Sequence, residues 1–270
     1  MNIELSVVIV NYNGFKYLEK CLQSLYLHLN DINFEIIIID NNSKDESCLF
    51  IKQNFPEINL IESKINHGFG KGNNEAVKQA KGNYLLLINN DTIVLDNLKP
   101  VLNLLQSDNS IGVVGINMLN AQKKYLPPAG KFPNITNMFQ LKNMFNLGEE
   151  FKTGIFSKNT YEVDWLGGSF LMLSHENYKK INGFDEGYFM YVEDVDFCKK
   201  LANINLKRVF LSTCSYVHFV GFDKKKNPML IKGFKIYISK HCKGIYKIEM
   251  QFVLQINALV KKIKLLLNSK

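Results

Sequence analysis

The sequence has few features of metal-stapled, disulfide-rich or membrane-spanning proteins. It has 1 Trp and 5 Cys in 270 residues, and no two cysteines stand at the Cys-x-x-Cys spacing of zinc and redox sites. Most cysteines have apolar neighbours, which is typical of buried free thiols in a reducing compartment. No apolar run approaches the roughly 20 residues of a membrane-spanning helix, and the first residues lack the pattern of a secretory signal. We therefore expect a cytoplasmic protein.

Acidic residues are nearly missing from the last part of the chain. From residue 223 onward only Asp223 and Glu249 are acidic. The same stretch carries Lys224, Lys225, Lys226, Lys232, Lys235, Lys240, Lys243, Lys247, Lys261, Lys262, Lys264 and Lys270. The net charge is +8, and the rest of the chain is close to neutral. This distribution predicts an anionic surface as the partner of the tail and argues against a nucleic-acid-binding core.

Apolar strands and amphipathic helices alternate along the chain. Apolar and β-branched runs predict strands at residues 5–11, 35–40, 59–62, 84–89, 111–116 and 161–173. Helical spacing predicts helices at residues 17–29, 69–80 and 95–105, after the capping residues Ser43 and Ser174, and from about Glu193. Such alternation forms right-handed βαβ units. The predicted fold class is α/β, with a Rossmann-like, mainly parallel sheet flanked by helices and a C-terminal helical tail.

Polar segments follow four of the predicted strands. They are NYNG at 11–14, DNNS at 40–43, NHG at 66–68 and NND at 89–91. Open parallel sheets bind ligands beyond the carboxyl ends of their strands. Turn chemistry explains any one of these segments about equally well, because Asn, Asp, Ser and Gly favour turns. The four together favour a ligand-binding edge.

Two common nucleotide signatures are missing at this edge. The first strand is followed by NYNG instead of Gly-x-Gly-x-x-Gly, which argues against NAD. The run HGFGKGNN, residues 67–74, follows the third strand, and Lys71 precedes Gly72 instead of the Ser or Thr of a P-loop. Asp91 ends an apolar strand, where its carboxylate can ligate Mg²⁺ or Mn²⁺ together with diphosphate oxygens.

Three acids follow an aromatic run in GYFMYVEDVDFCKKL, residues 187–201. Acids favour the first turn of a helix, which explains Glu193 and Asp196. Asp194 in the same turn faces a pocket walled by residues 189–191, where a carboxylate gains the raised pKa of a general base.

Two further segments carry candidate residues. Trp165 precedes Gly167-Gly168, and glycine pairs in a strand are typical of close approach by a ligand or another backbone. The Trp165 ring is equally suited to stacking on a sugar and to a place in the core. His218 lies on an apolar strand, where a structural role is the favoured interpretation of a histidine taken alone.

Six segments together resemble the motifs of family 2 inverting glycosyltransferases, in particular a rhamnosyltransferase-like branch that builds bacterial surface polysaccharides. They are SVVIVNYNG, IIIIDNNSKD, NHGFGKGNNEAVKQAKGNYLLLINND, WLGGSFLMLS, GFDEGYFMYVEDVDFCKKL and VHFVG, in order from about Ser6 to Gly221. The set is specific for the family and only weakly specific for the sugar. It implies the GT-A fold.

The resemblance assigns roles to individual positions. It implies Asp194 as the general base, with Glu193 beside it, and Mn²⁺ or Mg²⁺ held by Asp91 and His218. Asn89-Asn90 precede Asp91, so one carboxylate of the family's Asp-x-Asp motif is present. The implied nucleotide-sugar positions are Asn11, Asp40, Asn42, Gly68, Asn73, Asn90 and Asp91. The implied sugar or acceptor positions are Trp165, Gly168 and Tyr191.

The implied reaction moves one sugar, with inversion, from a nucleotide-diphosphate sugar to a hydroxyl of a glycan or lipid-linked acceptor. The donor is dTDP-rhamnose or a UDP-hexose. The Q-x-x-R-W motif of processive members is absent, which predicts addition of a single residue. A sugar nucleotidyltransferase and a non-catalytic nucleotide- or sugar-binding subunit remain as alternatives, and nucleic acid is not an expected partner.

The predicted GT-A domain covers residues 1–222, and 223–270 form a basic helical extension. The domain is divided into a nucleotide-sugar half at about 1–118 and an acceptor or catalytic half at about 119–222. The extension has apolar residues at helical spacing, with lysines next to them. These apolar residues are Phe252, Ile256, Leu259, Ile263 and Leu266. A basic amphipathic helix predicts contact of residues 245–270 with an anionic membrane, peripheral to the inner face of the plasma membrane. Packing on the domain, or on a partner subunit in a homodimer, is the alternative.

Overall fold

The computed structural model describes residues 3–219 and 226–267. Its strands are β1 (Leu5–Asn11), β2 (Phe34–Asp40), β3 (Asn59–Glu62), β4 (Tyr84–Asn89), β5 (Thr92–Val94), β6 (Ile111–Leu119), β7 (Tyr125–Leu126), β8 (Ala129–Gly130), β9 (Thr160–Glu162), β10 (Trp165–Leu166), β11 (Phe170–Ser174) and β12 (Lys207–His218). Its α-helices are α1 (Phe15–His28), α2 (Ser47–Asn54), α3 (Phe69–Val77), α4 (Lys99–Ser107), α5 (Ile135–Phe139), α6 (Glu150–Thr153), α7 (His175–Lys180), α8 (Glu193–Asn203), α9 (Lys226–His241) and α10 (Gly244–Leu267).

A mixed sheet runs through the molecule in the order β3-β2-β1-β4-β11-β6-β12-β5. β3, β2, β1 and β4 are parallel. β11 lies antiparallel between β4 and β6, and β12 is parallel to β6 and antiparallel to β5. The predicted α/β fold is confirmed, with a parallel first half and a mixed second half. The register places Asn11 beside Asp40 and Val10 beside Asn89, so the polar strand ends meet at one edge.

Helices cover both faces of the parallel strands, because successive residues of a strand face opposite sides. Val8 of β1 packs with Ala76 and Val77 of α3 on one face. Val7 and Ile9 pack with α1 and α4 on the other face. The continuous β-branched run of β1 is therefore buried on both sides, as a strand in the middle of a parallel sheet requires.

The predicted strand at residues 161–173 is wrong in its continuity. The chain forms β9, β10 and β11 there, and it turns at Gly167-Gly168 between the last two. Ser174 caps α7 as predicted, because its side chain accepts a hydrogen bond from the backbone N–H of Asn177 at 3.1 Å.

Two predicted helices begin later than expected. The helix expected at residues 95–105 begins at Lys99, because Thr92–Val94 pairs with β12 as a strand. The helix expected directly after Ser43 begins at Ser47, since the hydroxyl of Ser43 instead accepts from the backbone N–H of Asn13 at 2.8 Å.

The helices of the basic extension share the core of the second half. Phe234, Tyr237 and Ile238 of α9 are buried in the same cluster as Phe197 of α8. α10 packs beside α5, where Asn257 Nδ2 donates to the carbonyl of Phe139. The predicted boundary at 222–223 and the end of the VHFVG motif lie outside the described residues. Within the described residues, no helix combines the length and apolar character needed to cross a membrane.

Candidate active site

The carboxyl ends of β1, β2 and β4 are joined by their polar side chains. Asn11 is fully buried, and its Nδ2 donates to Asp40 Oδ1 at 2.7 Å. Asn11 Oδ1 accepts from Asn90 Nδ2 at 2.6 Å. Asp40 Oδ2 accepts from the backbone N–H of Ser43 at 2.8 Å. Three of the positions predicted to bind the nucleotide sugar are therefore brought into one hydrogen-bonded network.

Other predicted nucleotide-sugar positions surround the turn before α3. Gly68 has φ +76°, and its carbonyl accepts from Nδ2 of the buried Asn41 at 2.9 Å. Asn42 follows with φ +63° and is half-buried. Asn73 is buried, and its Nδ2 donates to the carbonyl of Phe69 at 3.0 Å. The Asn73 amide N–H is therefore used in a hydrogen bond within α3. Gly68 and Asn42 border the polar edge of the sheet.

Asp91 and His218 lie side by side at the end of β4. His218 Nε2 is 3.2 Å from Asp91 Oδ1, and the two side chains are 14% and 23% exposed respectively. The same nitrogen is 3.3 Å from Asn89 Nδ2. The pairing of β12 with β5 brings this histidine to Thr92, beside Asp91.

The donor chemistry of this pair fits a divalent cation. Carboxylate oxygen and imidazole nitrogen are ligands of Mn²⁺, and two adjacent ligands about 2.1 Å from an octahedral ion stand about 3 Å apart. Nε2 of His218 has a single lone pair, so it would bind a cation in place of accepting from Asn89 Nδ2, and Nε2 and the Asp91 carboxylate would then hold the ion together. No group of three or more His, Cys, Asp or Glu side chains in the described ranges could hold a metal. Diphosphate oxygens and water would therefore supply the remaining ligands.

Asp194 is fixed at the start of α8 by backbone N–H groups. Gly168 donates to its Oδ2 at 3.0 Å, and the next residue of the helix donates to its Oδ1 at 2.8 Å. Ser169, next to Gly168, accepts with its carbonyl from the N–H of Asn89 at 3.2 Å. The turn at Gly168-Ser169 therefore contacts both the predicted base, Asp194, and Asn89 at the end of β4. Asp91 follows two residues after Asn89.

Glu193, beside the predicted base, is an acid of a different kind. It is 6% exposed, and its Oε2 has no hydrogen-bond partner within the described residues. Burial, with a smaller contribution from the charge of Asp194, raises the pKa of Glu193 to about 8. A raised pKa of the kind expected beside the aromatic run is therefore found at Glu193, whose burial favours its neutral form.

The segment before α8 has a rare backbone conformation. Tyr191 and Val192 have φ values of +70° and +76°, a region that β-branched residues seldom occupy. Gly68 lies against the carbonyl of Phe189 on one side of the segment. On the other side, a Cβ at Gly233 would stand 2.6 Å from Tyr191 O and 2.8 Å from Val192 Cγ2. These two glycines allow an approach that a side chain would prevent.

The aromatic run leaves apolar side chains accessible near this loop. Phe189 and Met190 are 46% and 39% exposed. They line a cavity of about 180 Å³ together with Met229 and Ile236 of α9. Tyr191 is half-buried. The structure therefore places part of the predicted acceptor wall against α9 of the basic extension.

Trp165 is placed in the core. It is 6% exposed, its Nε1 donates to the carbonyl of Lys131 at 2.9 Å, and its ring packs edge-on against Phe145. This placement favours the core alternative for Trp165 over stacking on a sugar.

Two supporting groups escaped sequence reasoning. Asn74 Oδ1 accepts from the hydroxyl of Tyr178 at 2.6 Å and from the N–H of Phe184 at 2.9 Å, which joins α3 to the acceptor half. Asp196 is fully buried and accepts from Lys240 Nζ at 2.7 Å and from His241 Nε2 at 2.7 Å. The spacing of the first acids of α8 suggested helix capping for Asp196, and nothing local in the sequence indicates partners 44 residues away.

Comparison with protein families gives two matches. The profile described as Glycosyl transferase family 2 matches residues 6–167. The profile described as N-terminal domain of galactosyltransferase matches residues 155–224. Together the matches cover the strand ends, the turn at Gly168 and the Asp194 segment.

Comparison with known proteins gives relatives of similar length and a shared fold. The chain is 28% identical to rhamnosyltransferase WbbL of Escherichia coli (strain K12) over 81% of this chain and 84% of the relative. It is 23% identical to an N-acetylglucosaminyl-diphospho-decaprenol L-rhamnosyltransferase of Mycobacterium tuberculosis over 83% of this chain and 78% of that protein. A crystal structure of GalNAc-T7 with UDP, GalNAc and Mn²⁺ superposes with a TM-score of 0.65 at 16% identity, over 82% of this chain and 44% of that chain.

Proposed function

The chain belongs to glycosyl transferase family 2 and is a glycosyltransferase with the GT-A fold. We propose that it transfers one rhamnose, with inversion, from dTDP-rhamnose to a hydroxyl of a lipid-linked glycan. Asp194 is the proposed general base, and the strand-end network of Asn11, Asp40 and Asn90 borders the proposed nucleotide site. The observation that carries this proposal is the position of Asp194, held by Gly168 N–H next to the end of β4.

The proposed reaction is a single displacement. The acceptor hydroxyl gives its proton to the Asp194 carboxylate while its oxygen forms a bond to the anomeric carbon. The bond from that carbon to the diphosphate breaks on the opposite face, and the nucleoside diphosphate leaves with the electron pair. Glu193 is buried and its pKa is raised, so Asp194 is the acid proposed to accept the proton of the reacting hydroxyl. A carboxylate base of this kind typically contributes roughly 10²–10⁴-fold in rate.

Asp91 and His218 are the proposed residues that hold a divalent cation. When bound, Mn²⁺ or Mg²⁺ stabilises the negative charge that develops on the leaving diphosphate. The 3.2 Å separation between Asp91 Oδ1 and His218 Nε2 supports this assignment. The Mn²⁺ in the GalNAc-T7 structure is consistent with a divalent cation in this fold.

Donor and acceptor are proposed from the printed functions of the relatives. Both sequence relatives are named rhamnosyltransferases, which favours dTDP-rhamnose over a UDP-hexose as donor. The relative from M. tuberculosis is named for a decaprenol-diphosphate acceptor, which favours a polyprenyl-linked glycan here. The active site itself is proposed to face the bacterial cytoplasm, where nucleotide sugars are made.

The test measures transfer and nucleotide binding separately with the full chain. The acceptor probe is polyprenyl-diphosphate-linked N-acetylglucosamine, and the donors are dTDP-rhamnose, UDP-glucose and UDP-N-acetylglucosamine with Mn²⁺. Transfer by wild type is expected from dTDP-rhamnose. Asp194→Asn should reduce transfer by roughly 10²–10⁴-fold with dTDP affinity unchanged, and the exposed change Asp31→Asn is the matched control.

Three outcomes would overturn parts of the proposal. Transfer from a UDP-hexose alone would reject the donor and keep the base. Equal transfer by wild type and Asp194→Asn would reject Asp194 as the base. Binding of dTDP by wild type, without transfer from any of the donors to the acceptor, would favour a non-catalytic binding subunit.

A further inference from the structure

α10 presents two opposite apolar faces. Met250, Val253 and Leu254 are buried in the core of the second half. Most side chains of the other face are exposed: Ile245 76%, Ile248 66%, Phe252 62%, Leu259 59% and Ile263 46%. Because the domain uses the first face for its own packing, the second face is available for a partner.

The exposed residues form one continuous line along the helix. Their spacings of 3, 4, 7 and 4 residues keep them on one side at 100° per residue. Ile256 completes the line and is half-buried. The line from Ile245 to Ile263 is about 27 Å long. Single exposed apolar residues are ordinary, whereas a continuous line of this size is typical of an interaction site.

The charges of α10 identify the kind of partner. Glu249 is its only acid. Lys262 is exposed beside Ile263, whereas Lys247 and Lys261 lie toward the packed side of the helix. Lys232, Lys235 and Lys243 of the basic extension are also exposed. A second copy of the chain would bring one strongly basic extension against another, and like charges repel. A partner with an apolar interior and an anionic surface satisfies the leucine and isoleucine side chains and the lysines together. The side chains of Lys264 and Leu266 lie outside the described part of the chain.

We propose that α10 lies in the interface of an anionic lipid bilayer, with the line from Ile245 to Ile263 inserted among the acyl chains and with Lys262 and the other exposed lysines of the extension at the phosphate level. The helix would lie parallel to the membrane plane, as a helix with a separate apolar face and flanking cations does. Its other face would remain packed on the domain through Met250 and Val253, so that the membrane contact fixes the position of the domain. This inference rests on the surface of α10 and is independent of the proposed reaction.

The experiment measures binding of the full chain to sedimenting vesicles. The vesicles are phosphatidylcholine alone, or phosphatidylcholine with 30% phosphatidylglycerol as a probe composition of about physiological charge. Wild type should bind the anionic vesicles, and binding should fall as salt is raised from about 0.1 to 0.5 M. The double change Ile248→Ser with Phe252→Ser should lower the partition coefficient by about 10-fold or more, since two large apolar side chains lose their burial.

A matched control distinguishes this surface from general stickiness. Leu27→Ser with Ile155→Ser removes two side chains that are 63% and 76% exposed elsewhere on the domain, and it should bind as wild type does. Equal binding by all three proteins would overturn the proposal. So would a wild-type dimer in light scattering that the α10 double change converts to monomer without any vesicle binding, because a second copy would then be the occupant.

Discussion

The donor edge, meaning the proposed nucleotide-binding residues Asn11, Asp40 and Asn90, and the proposed base Asp194 are held by different kinds of contact. At the donor edge, the last residues of neighbouring strands hydrogen-bond to one another directly, as Asn11 does with Asp40 and Asn90. At the base, Asp194 is positioned by Gly168 from another turn, and the loop before it packs on Gly233 of α9. Strand register is enough to assemble the first region. The second region needs three separate elements to pack correctly.

This difference predicts that damage to one region leaves the other largely intact. Nucleotide binding should depend on the donor edge, whereas turnover should depend on the packing of α8 against α9 and on the proposed cation site at Asp91. Distant substitutions usually have additive effects, which makes the separation measurable. The expected effects below run from the largest to the smallest.

The largest effect outside the base is expected for Asp91→Asn. Removal of this carboxylate leaves His218 as the remaining protein ligand at the proposed cation site, and loss of an electrostatic group at a developing charge costs roughly 10²–10³-fold in turnover. Titration of turnover with Mn²⁺ checks this, with Asp31→Asn as control. Equal stimulation of wild type and Asp91→Asn by Mn²⁺ would remove Asp91 from the cation site.

A loss of stability of roughly 3 kcal/mol is expected for Lys240→Met, because it takes one partner from the fully buried Asp196. The lysine side chain is itself 28% exposed and also contacts Asp185 at 2.6 Å, so the loss is expected at the lower end for a buried pair. Denaturant unfolding measures it, and Lys235→Met on the exposed side of α9 is the control.

The same variant sharpens the comparison between the two regions. At a temperature where Lys240→Met is folded, its affinity for dTDP should equal that of wild type. A parallel loss of stability and dTDP affinity would mean that the donor edge also depends on α9.

The donor edge could be predicted from sequence because its information is local. The run at Leu5–Asn11 is apolar from Val7 to Val10, and the polar Asn11 marks both the strand boundary and the proposed binding edge. Asp91 is found by the same logic after β4. The pairing of Asp91 with His218 requires β5 to lie against β12, and no local pattern encodes that pairing.

The base region was predicted in outline only. The helix from Glu193 follows from its acids and its apolar spacing, but the left-handed backbone at Val192 contradicts the preference of valine. Tertiary contacts impose this backbone conformation. From the sequence alone, Gly233 is only a residue of low helix propensity within a helix, and its contact with the loop is not indicated. Trp165 shows the same limit, because an aromatic ring beside two glycines suits both a sugar and a core.

A moderate, selective effect is expected for Gly233→Ala. The added Cβ would meet Tyr191 O and Val192 Cγ2 and shift the loop before Asp194. A displacement of about 1 Å can cost up to about 10²-fold in rate, and we expect roughly a 10-fold fall in kcat with the donor KM unchanged. Ser239→Ala on α9 is the control. A rise in donor KM with unchanged kcat would contradict the assignment of this contact to the base.

The smallest effect on turnover at pH 7 is expected for Glu193→Gln. Burial raises the pKa of Glu193 to about 8, so the neutral amide resembles the form that burial favours at pH 7. Turnover should stay within about twofold, far below the roughly 10²–10⁴-fold contribution of a general base. Stability should respond differently. The unfolded glutamate loses its proton near pH 4.5, whereas the folded one retains it up to about 8, and the folded state therefore binds more protons between these values.

Wild-type stability should fall relative to Glu193→Gln as the pH rises through this window, and the difference should become constant above about pH 8. Thermal unfolding of both proteins at pH 5, 6, 7, 8 and 9 measures it, with Glu57→Gln on the surface as the control pair. A stability difference that does not change with pH would mean that the pKa of Glu193 is the same in the folded and unfolded states. A strong loss of turnover at pH 7 would make the charged form of Glu193 part of the base region, because the amide cannot supply that charge.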